Sequence, residues 1–186
     1  MSDPHRARTA VTQLADLLRY TLNYEQRQLI PLAEELAAVR DYLALEQTRF
    51  GPERLRVELA VPSALHTWPV PPAALLTLVE NAVKHGISAA PGGGLLRLTA
   101  RPEPTTDLAS PARPGLYLEV SQPGHLPAVP VPRPAAALGG LGLANTRQRL
   151  LALYGPAARL TLRENPCGTV VAGLALPATP LPLSAP

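Results

Sequence analysis

Four polar residues interrupt an otherwise apolar run, Leu78-Val79-Glu80-Asn81-Ala82-Val83-Lys84-His85-Gly86. Polar groups on an apolar helix are costly to bury without partners. At helical spacing Asn81, Lys84 and His85 stand at i, i+3 and i+4 and share a face. An amide carbonyl is a hard oxygen that suits Mg²⁺, and an ammonium suits phosphate. The same residues also fit a solvated helix end. A second run, Gly139-Gly140-Leu141-Gly142-Leu143-Ala144-Asn145-Thr146-Arg147, places glycines just before a helix. That exposes backbone N–H groups at the positive helix end, an arrangement that binds phosphate. Its plain alternative is a flexible loop leading into a helix. A third run, Val120-Ser121-Gln122-Pro123-Gly124, reads as a strand end and a turn, and by itself carries no chemistry.

These segments need elements to hold them. Ser2-Asp3-Pro4 fits a helix start, and Val11, Leu14, Leu18 and Leu22 continue at helical spacing to about Tyr24. Polar Glu25 to Gln28 breaks the pattern. Pro31 opens a second helix, with Glu34 and Glu35 near its positive end. Its stripe is Leu32, Leu36, Val39, Leu43 and Phe50, and Gly51-Pro52 stops it. Both stripes read as core or dimer packing. Arg56 to Val61 alternates as a strand. A third helix, apolar on most sides, is expected from Pro72 to His85. Gly92-Gly93-Gly94 is a loop, and Leu95 to Arg101 and Leu116 to Ser121 are strands. Residues 122–140 are rich in Pro, Ala and Gly without any period, too long for an ordinary connection, so a mobile functional loop is expected. Leu141 to Tyr154 is a helix. Arg159 to Arg163 and Thr169 to Leu176 form a hairpin turning at Asn165-Pro166-Cys167-Gly168. The tail from Ala178 is expected to be disordered. Helices and antiparallel-looking strands together predict an α+β fold, a two-layer sandwich with helices on one face of a sheet.

Composition narrows the classes. With 186 residues the chain can build one domain and an appendage. Aromatics are 4%, so Leu, Val and Ala must make the core. The net charge is only +3 and the Arg residues are scattered, with no basic run interleaved with aromatics, which argues against nucleic acid as a partner. One cysteine, Cys167, excludes an internal disulfide and a cysteine-based zinc cluster. No apolar stretch is long enough to span a bilayer and no signal peptide is evident, so a cytoplasmic location is expected. The glycines are not in a strand–GxxxxGK[ST]–helix setting, and no GxGxxG follows a first strand, so neither a P-loop nor a Rossmann site is indicated.

Taken in order, the three runs resemble the gyrase, heat-shock-chaperone, histidine-kinase and MutL ATPase superfamily, the Bergerat fold. Within it the chain resembles the LytS type of sensor histidine kinase. That likeness extends from Asp3 to about Pro177 and rests on Leu14-Ala15-Asp16-Leu17-Leu18-Arg19-Tyr20, Pro31-Leu32-Ala33-Glu34-Glu35-Leu36, Tyr42-Leu43 with Arg49-Phe50-Gly51, Leu78 to Gly86, and Gly140 to Arg149. It implies a division into residues 1–28, the second helix of a dimerisation hairpin, 29–178, an ATP-binding catalytic domain, and 179–186, a tail. It also implies ATP and Mg²⁺ as cofactors. Asn81 would ligate Mg²⁺, Lys84 and His85 would lie near the phosphates, and Glu80 would polarise water or tune the metal site. Gly140, Gly142 and the N–H of Leu143 would cradle phosphate, and residues 125–138 would form a lid. Thr169 would help hold adenine through a water, with Gln122 and Gly124 at the same end of the site.

Two departures stand out. The family places Asp, sometimes Asn, where Gln122 stands, to accept a hydrogen bond from the adenine amino group. A charged acceptor contributes roughly 1.5–3 kcal/mol and a neutral one about 0.5–1.5. The family's phosphoacceptor box, an Asn-Pro-His-Phe run, would lie upstream of Met1, and His5 falls at an ordinary surface position. The first reading is therefore a kinase domain that phosphorylates a histidine outside this chain, partnered by a phosphoacceptor helix, a response regulator and a second copy in the parent protein. The alternative is a dimerising or regulatory scaffold of the same fold with impaired nucleotide binding. Gyrase-type ATPases and anti-sigma-factor kinases typically carry a carboxylate four residues before the metal-binding Asn; Thr77 stands there, which disfavours them.

Overall fold

The computed structural model describes residues 27–103, 114–126 and 141–178. The expected first helix, residues 127–138 of the expected lid, Gly139, Gly140 and residues 179–186 of the tail lie outside them.

Pro31 and Gly51 bound the first described helix as their chemistry requires. A two-residue strand, β1 (Ile30–Pro31), leads into α1 (Leu32–Phe50). Gly51 at φ 84° closes it, its N–H donating to Gln47 O at 2.9 Å. The strand β2 (Leu55–Ala60) follows, then a second two-residue strand, β3 (Pro69–Val70), antiparallel to β1. This small ladder joins the entry of α1 to the entry of α2 (Ala74–Ala82). A π-helical turn, Val83–Ile87, continues α2. The remaining elements are β4 (Gly94–Glu103), β5 (Gly115–Pro123), α3 (Leu141–Tyr154), β6 (Arg159–Asn165) and β7 (Thr169–Leu176).

Five strands form one sheet in the order β2-β4-β5-β7-β6. All neighbours are antiparallel except β2 and β4, which run parallel in register Leu55↔Gly94 to Ala60↔Thr99. The parallel pair is the one departure from the antiparallel look of the strands in the sequence. A parallel pair requires a crossover, and here the crossover contains α2. Alternation of side chains puts Leu96, Leu98, Leu116, Leu118, Val120, Ala172 and Leu174 on the helix side, where they meet Leu36, Val39, Leu43, Leu75, Leu78 and Val79 in one core. The other face carries Arg97 paired with Glu58 at 2.9 Å, Arg163 with Glu119 at 3.0 Å, and Arg101 over the Tyr117 ring. Strand β7 is buried on both faces. At Gly173 the Tyr117 side chain packs onto the strand: a Cβ there would sit 2.3 Å from Tyr117 Oη and 2.8 Å from Thr161 Oγ1.

Helix α2 has no side-chain cap from its own sequence neighbourhood, and Ala73 before it has φ 58°. Glu35 of α1 supplies the cap. Its carboxylate is fully buried and accepts from the N–H groups of Ala73, Leu75 and Leu76, each at 2.9 Å. Three otherwise orphaned donors are thereby satisfied by a negative charge at the positive helix end. No helix among the described residues is long and apolar enough to cross a membrane.

Candidate functional site

The far end of α2 carries the chemistry. Asn81 is half-buried and its Nδ2 donates to Thr77 O at 2.7 Å, one turn back. That bond orients the carboxamide. Oδ1, the atom able to ligate a cation, has no hydrogen-bond partner among the described residues. Glu80 is exposed beside it, yet desolvation raises its carboxyl above the ordinary value. Tyr42 of α1 lies close enough to feel it: burial first, then the charges of Glu46 and Glu80, raise the Tyr42 hydroxyl.

The helix then widens. Ser88 N donates to Val83 O at 2.8 Å, closing a five-residue π turn that carries Lys84 and His85, both exposed. π turns inside α-helices occur frequently at functional sites.

Gly86 ends this turn against the sheet. A Cβ there would lie 2.3 Å from Gln122 Cγ and 2.8 Å from Pro123 O. Gln122 and Pro123 belong to β5, so the strand runs two residues further than its apolar pattern indicated. Gln122 continues the inward row of Leu116, Leu118 and Val120. It is 6% exposed, and its Oε1 is buried without a hydrogen-bond partner. Leaving such an acceptor unpaired costs about 1–3 kcal/mol. Gly124, at φ 139°, donates its N–H to Gly168 O at 3.0 Å. Thr169 stands opposite Pro123 in the ladder, with its Oγ1 3.5 Å from Cys167 Sγ. The chain leaving β5 is held to β6: His125 Nδ1 lies 2.6 Å from Glu164 Oε1, and Leu126 N donates to Oε2 at 2.8 Å. These two bonds, that from His125 first, keep the Glu164 carboxyl below its usual value.

On the other side, the start of α3 rests on α2. A Cβ at Gly142 would meet Thr77 Cγ2 at 3.1 Å, one turn before Asn81. Leu143 is half-buried against the core. Between the two helices lies a cleft of about 120 Å³ lined by Pro72, Ala73, Thr77, Asn145, Thr146 and Arg149. Arg149 donates to Pro72 O at 3.2 Å.

Thus Asn81, Gly142 and Leu143 gather on one side of α2, while Gln122, Gly124 and Thr169 gather at its end, with Lys84 and His85 on the turn between. Sequence reasoning missed Glu35, the cleft with Asn145 and Arg149, and the His125–Glu164 pair. Glu35 had a readable signal: it falls on the apolar stripe, three residues after Leu32 and four before Val39. His125 and Glu164 are 39 residues apart and had none.

A family model described as Histidine kinase matches residues 1–55. Sensor protein LytS of Oceanobacillus iheyensis is 28% identical over 169 residues, 91% of this chain and 29% of that protein. Sensor protein LytS of Bacillus subtilis is 32% identical over 166 residues, 86% of this chain and 26% of that protein. The chain thus spans less than a third of the length of these curated relatives. Among solved structures, the histidine kinase domain of the Erythrobacter litoralis blue-light activated histidine kinase superposes with TM-score 0.55 at 15% identity, covering 91% of this chain and 75% of that one. The catalytic domain of histidine kinase ThkA gives 0.52 at 18%, covering 82% and 97%. These structures share the mixed α/β fold of this chain. The sequence likeness assigns the chain to the histidine kinase family, among its LytS-type sensor proteins, and the solved structures share its fold.

Proposed function

We propose that residues 29–178 form the catalytic domain of a two-component sensor kinase, which binds Mg-ATP and passes the γ-phosphoryl to a histidine outside this chain. The observation that carries this reading is the oriented amide of Asn81, placed one turn from the packed start of a glycine-opened helix. Its Oδ1 would hold Mg²⁺, a hard cation that prefers oxygen ligands. Bound there, the cation neutralises charge as the phosphoryl group transfers.

The chain's own groups do the rest. The first N–H groups of α3, those of Gly142 and Leu143, have no intrahelical acceptor and would receive phosphate oxygens; Gly140 would extend the cradle. Lys84 and His85, exposed on the π turn, would add positive charge or hydrogen-bond donors beside the phosphates. Glu80, with its raised proton affinity, would accept a proton from water near the metal. The base would lie at the Gln122 end. Its fit is supported by the unpartnered Oε1 of Gln122, at the point where Gly86 lets the π turn pack directly against β5. Thr169 would contribute its hydroxyl through a water. A phosphoacceptor helix, a response regulator and a second copy of the parent protein would be the partners, in the cytoplasm.

Calorimetric titration with a non-hydrolysable ATP analogue, with and without Mg²⁺, tests this. Magnesium-dependent binding is expected. Asn81→Asp should abolish it, because a carboxylate cannot donate to Thr77 O and repels the phosphates. Unchanged Mg²⁺-dependent binding in that variant would overturn the metal assignment. Label from γ-labelled ATP should also pass to a separately supplied phosphoacceptor helix from a LytS-type relative.

A further inference from the structure

We propose that Arg149 is a positioning residue for the phosphate-binding start of α3: it pins the third turn of that helix to the start of α2 and to the chain entering at Arg27, and so aims the first N–H groups of α3. The inference rests on the nucleotide reading of the site and adds to it the residue that sets the angle between the two helices.

The peptide unit between Pro72 and Ala73 is bound at both ends by opposite charges from different helices. Arg149 Nη1 of α3 donates to its carbonyl oxygen at 3.2 Å. Glu35 Oε2 of α1 accepts from its N–H at 2.9 Å. Ala73 has φ 58°, a left-handed conformation that a residue with a Cβ rarely adopts. Such strain persists only where the surroundings over-determine the backbone, and it clusters at functional sites. The same guanidinium reaches further, with Nη2 donating to Arg27 O at 3.3 Å. Arg27 in turn pairs through its side chain with Glu34 of α1 at 2.6 Å. One planar fork therefore joins α3 to the start of α2 and to the chain that leads into β1.

Nearer its own start, α3 touches α2 where Gly142 meets Thr77; a Cβ at Gly142 would lie 3.1 Å from Thr77 Cγ2. That contact is one turn from Asn81, whose Nδ2 donates to Thr77 O. Gly142 and Arg149 stand about 10 Å apart along the helix axis. Between the two contacts lies the cleft of about 120 Å³, so packing does not fill the space there. Leu150 and Tyr154 bury the core side of α3, but apolar packing is non-directional and leaves the fine angle to α2 to the polar contacts. With Arg149 released, α3 pivots on Gly142, and its first N–H groups turn relative to the Asn81 amide.

The test is binding of a non-hydrolysable ATP analogue with Mg²⁺ to the unaltered chain, to Arg149→Lys and to Arg149→Ala, each with a urea denaturation curve. Lysine keeps the charge but presents a point rather than a fork, so it cannot hold both carbonyls. For Arg149→Lys the expected result is a urea midpoint close to the parent's and a dissociation constant raised at least about tenfold. A merely structural arginine would lose stability and binding together, and that pattern overturns the proposal. So does a folded lysine or alanine variant whose binding weakens less than about tenfold. Hydrogen exchange on the unaltered chain decides the matter if both variants misfold. Nucleotide should then slow exchange at Gln28, Leu75 and Leu76 as well as at Gly142 and Leu143, whereas protection confined to the start of α3 rejects the tie. A folded, unaltered chain that binds no nucleotide overturns the nucleotide reading and this proposal with it; the other failures leave that reading in place.

Discussion

Glu80 and Gln122 flank the site with opposite problems. Gln122 keeps a buried acceptor waiting for a partner, while Glu80 keeps a carboxyl that desolvation makes reluctant to ionise. For Glu80 the sign follows from linkage. A carboxyl whose folded pKa is raised binds its proton more tightly in the native state, so its stabilising effect is present below the unfolded value of about 4.3 and is lost as pH rises through the folded value. Glu80→Gln preserves the neutral form at every pH. Its melting temperature should exceed that of the parent chain at neutral pH and converge with it below about pH 4. A thermal melt series across pH checks this; equal melting temperatures at pH 7 would remove the desolvation argument.

At the level of elements, α2 depends on α1 for its start. Three backbone donors at the head of α2 end on one carboxylate of α1, at 38 to 41 residues' separation. Hydrogen bonds to a charged group contribute about 1.5–3 kcal/mol each, and orphaned buried donors add a penalty. Glu35→Ala should therefore cost at least about 3 kcal/mol in urea denaturation, with the m-value unchanged if the variant still unfolds in one step. A loss below about 1 kcal/mol would mean that water or another group caps the helix as well. Since α2 also carries Asn81 on its last turn, a displaced start would move the amide proposed to ligate Mg²⁺, and nucleotide binding should weaken along with stability.

Across the whole molecule, the site exists because the helical layer touches the sheet at Gly86. Gly86→Ala would drive a methyl group into Gln122 Cγ and Pro123 O. Overpacking of this kind costs about 1–3 kcal/mol, which chemical denaturation would read directly, and it should weaken nucleotide binding as well. An alanine variant with parental stability would show that the two layers have slack at this point. Much of the architecture was legible beforehand. Pro31 and Gly51 bounded α1, the glycines before Leu141 and the apolar repeat to Tyr154 bounded α3, and alternation located all five strands of the main sheet. Asn81, Lys84, His85 and the glycines before α3 stood out by residue type and spacing, because hard oxygens, cations and glycines have local signatures, whereas Gln122, Gly124 and Thr169 entered only through the family resemblance. What the sequence determined by itself was this local grammar, since periodicity, capping and turn chemistry act over a few residues. The tertiary structure alone decided the parallel pairing of β2 with β4, the burial of Glu35 under α2, the π turn, and the sealing of Gln122 against Gly86. Each of these depends on which distant segment arrives as neighbour, and contact across tens of residues leaves no mark in the local pattern.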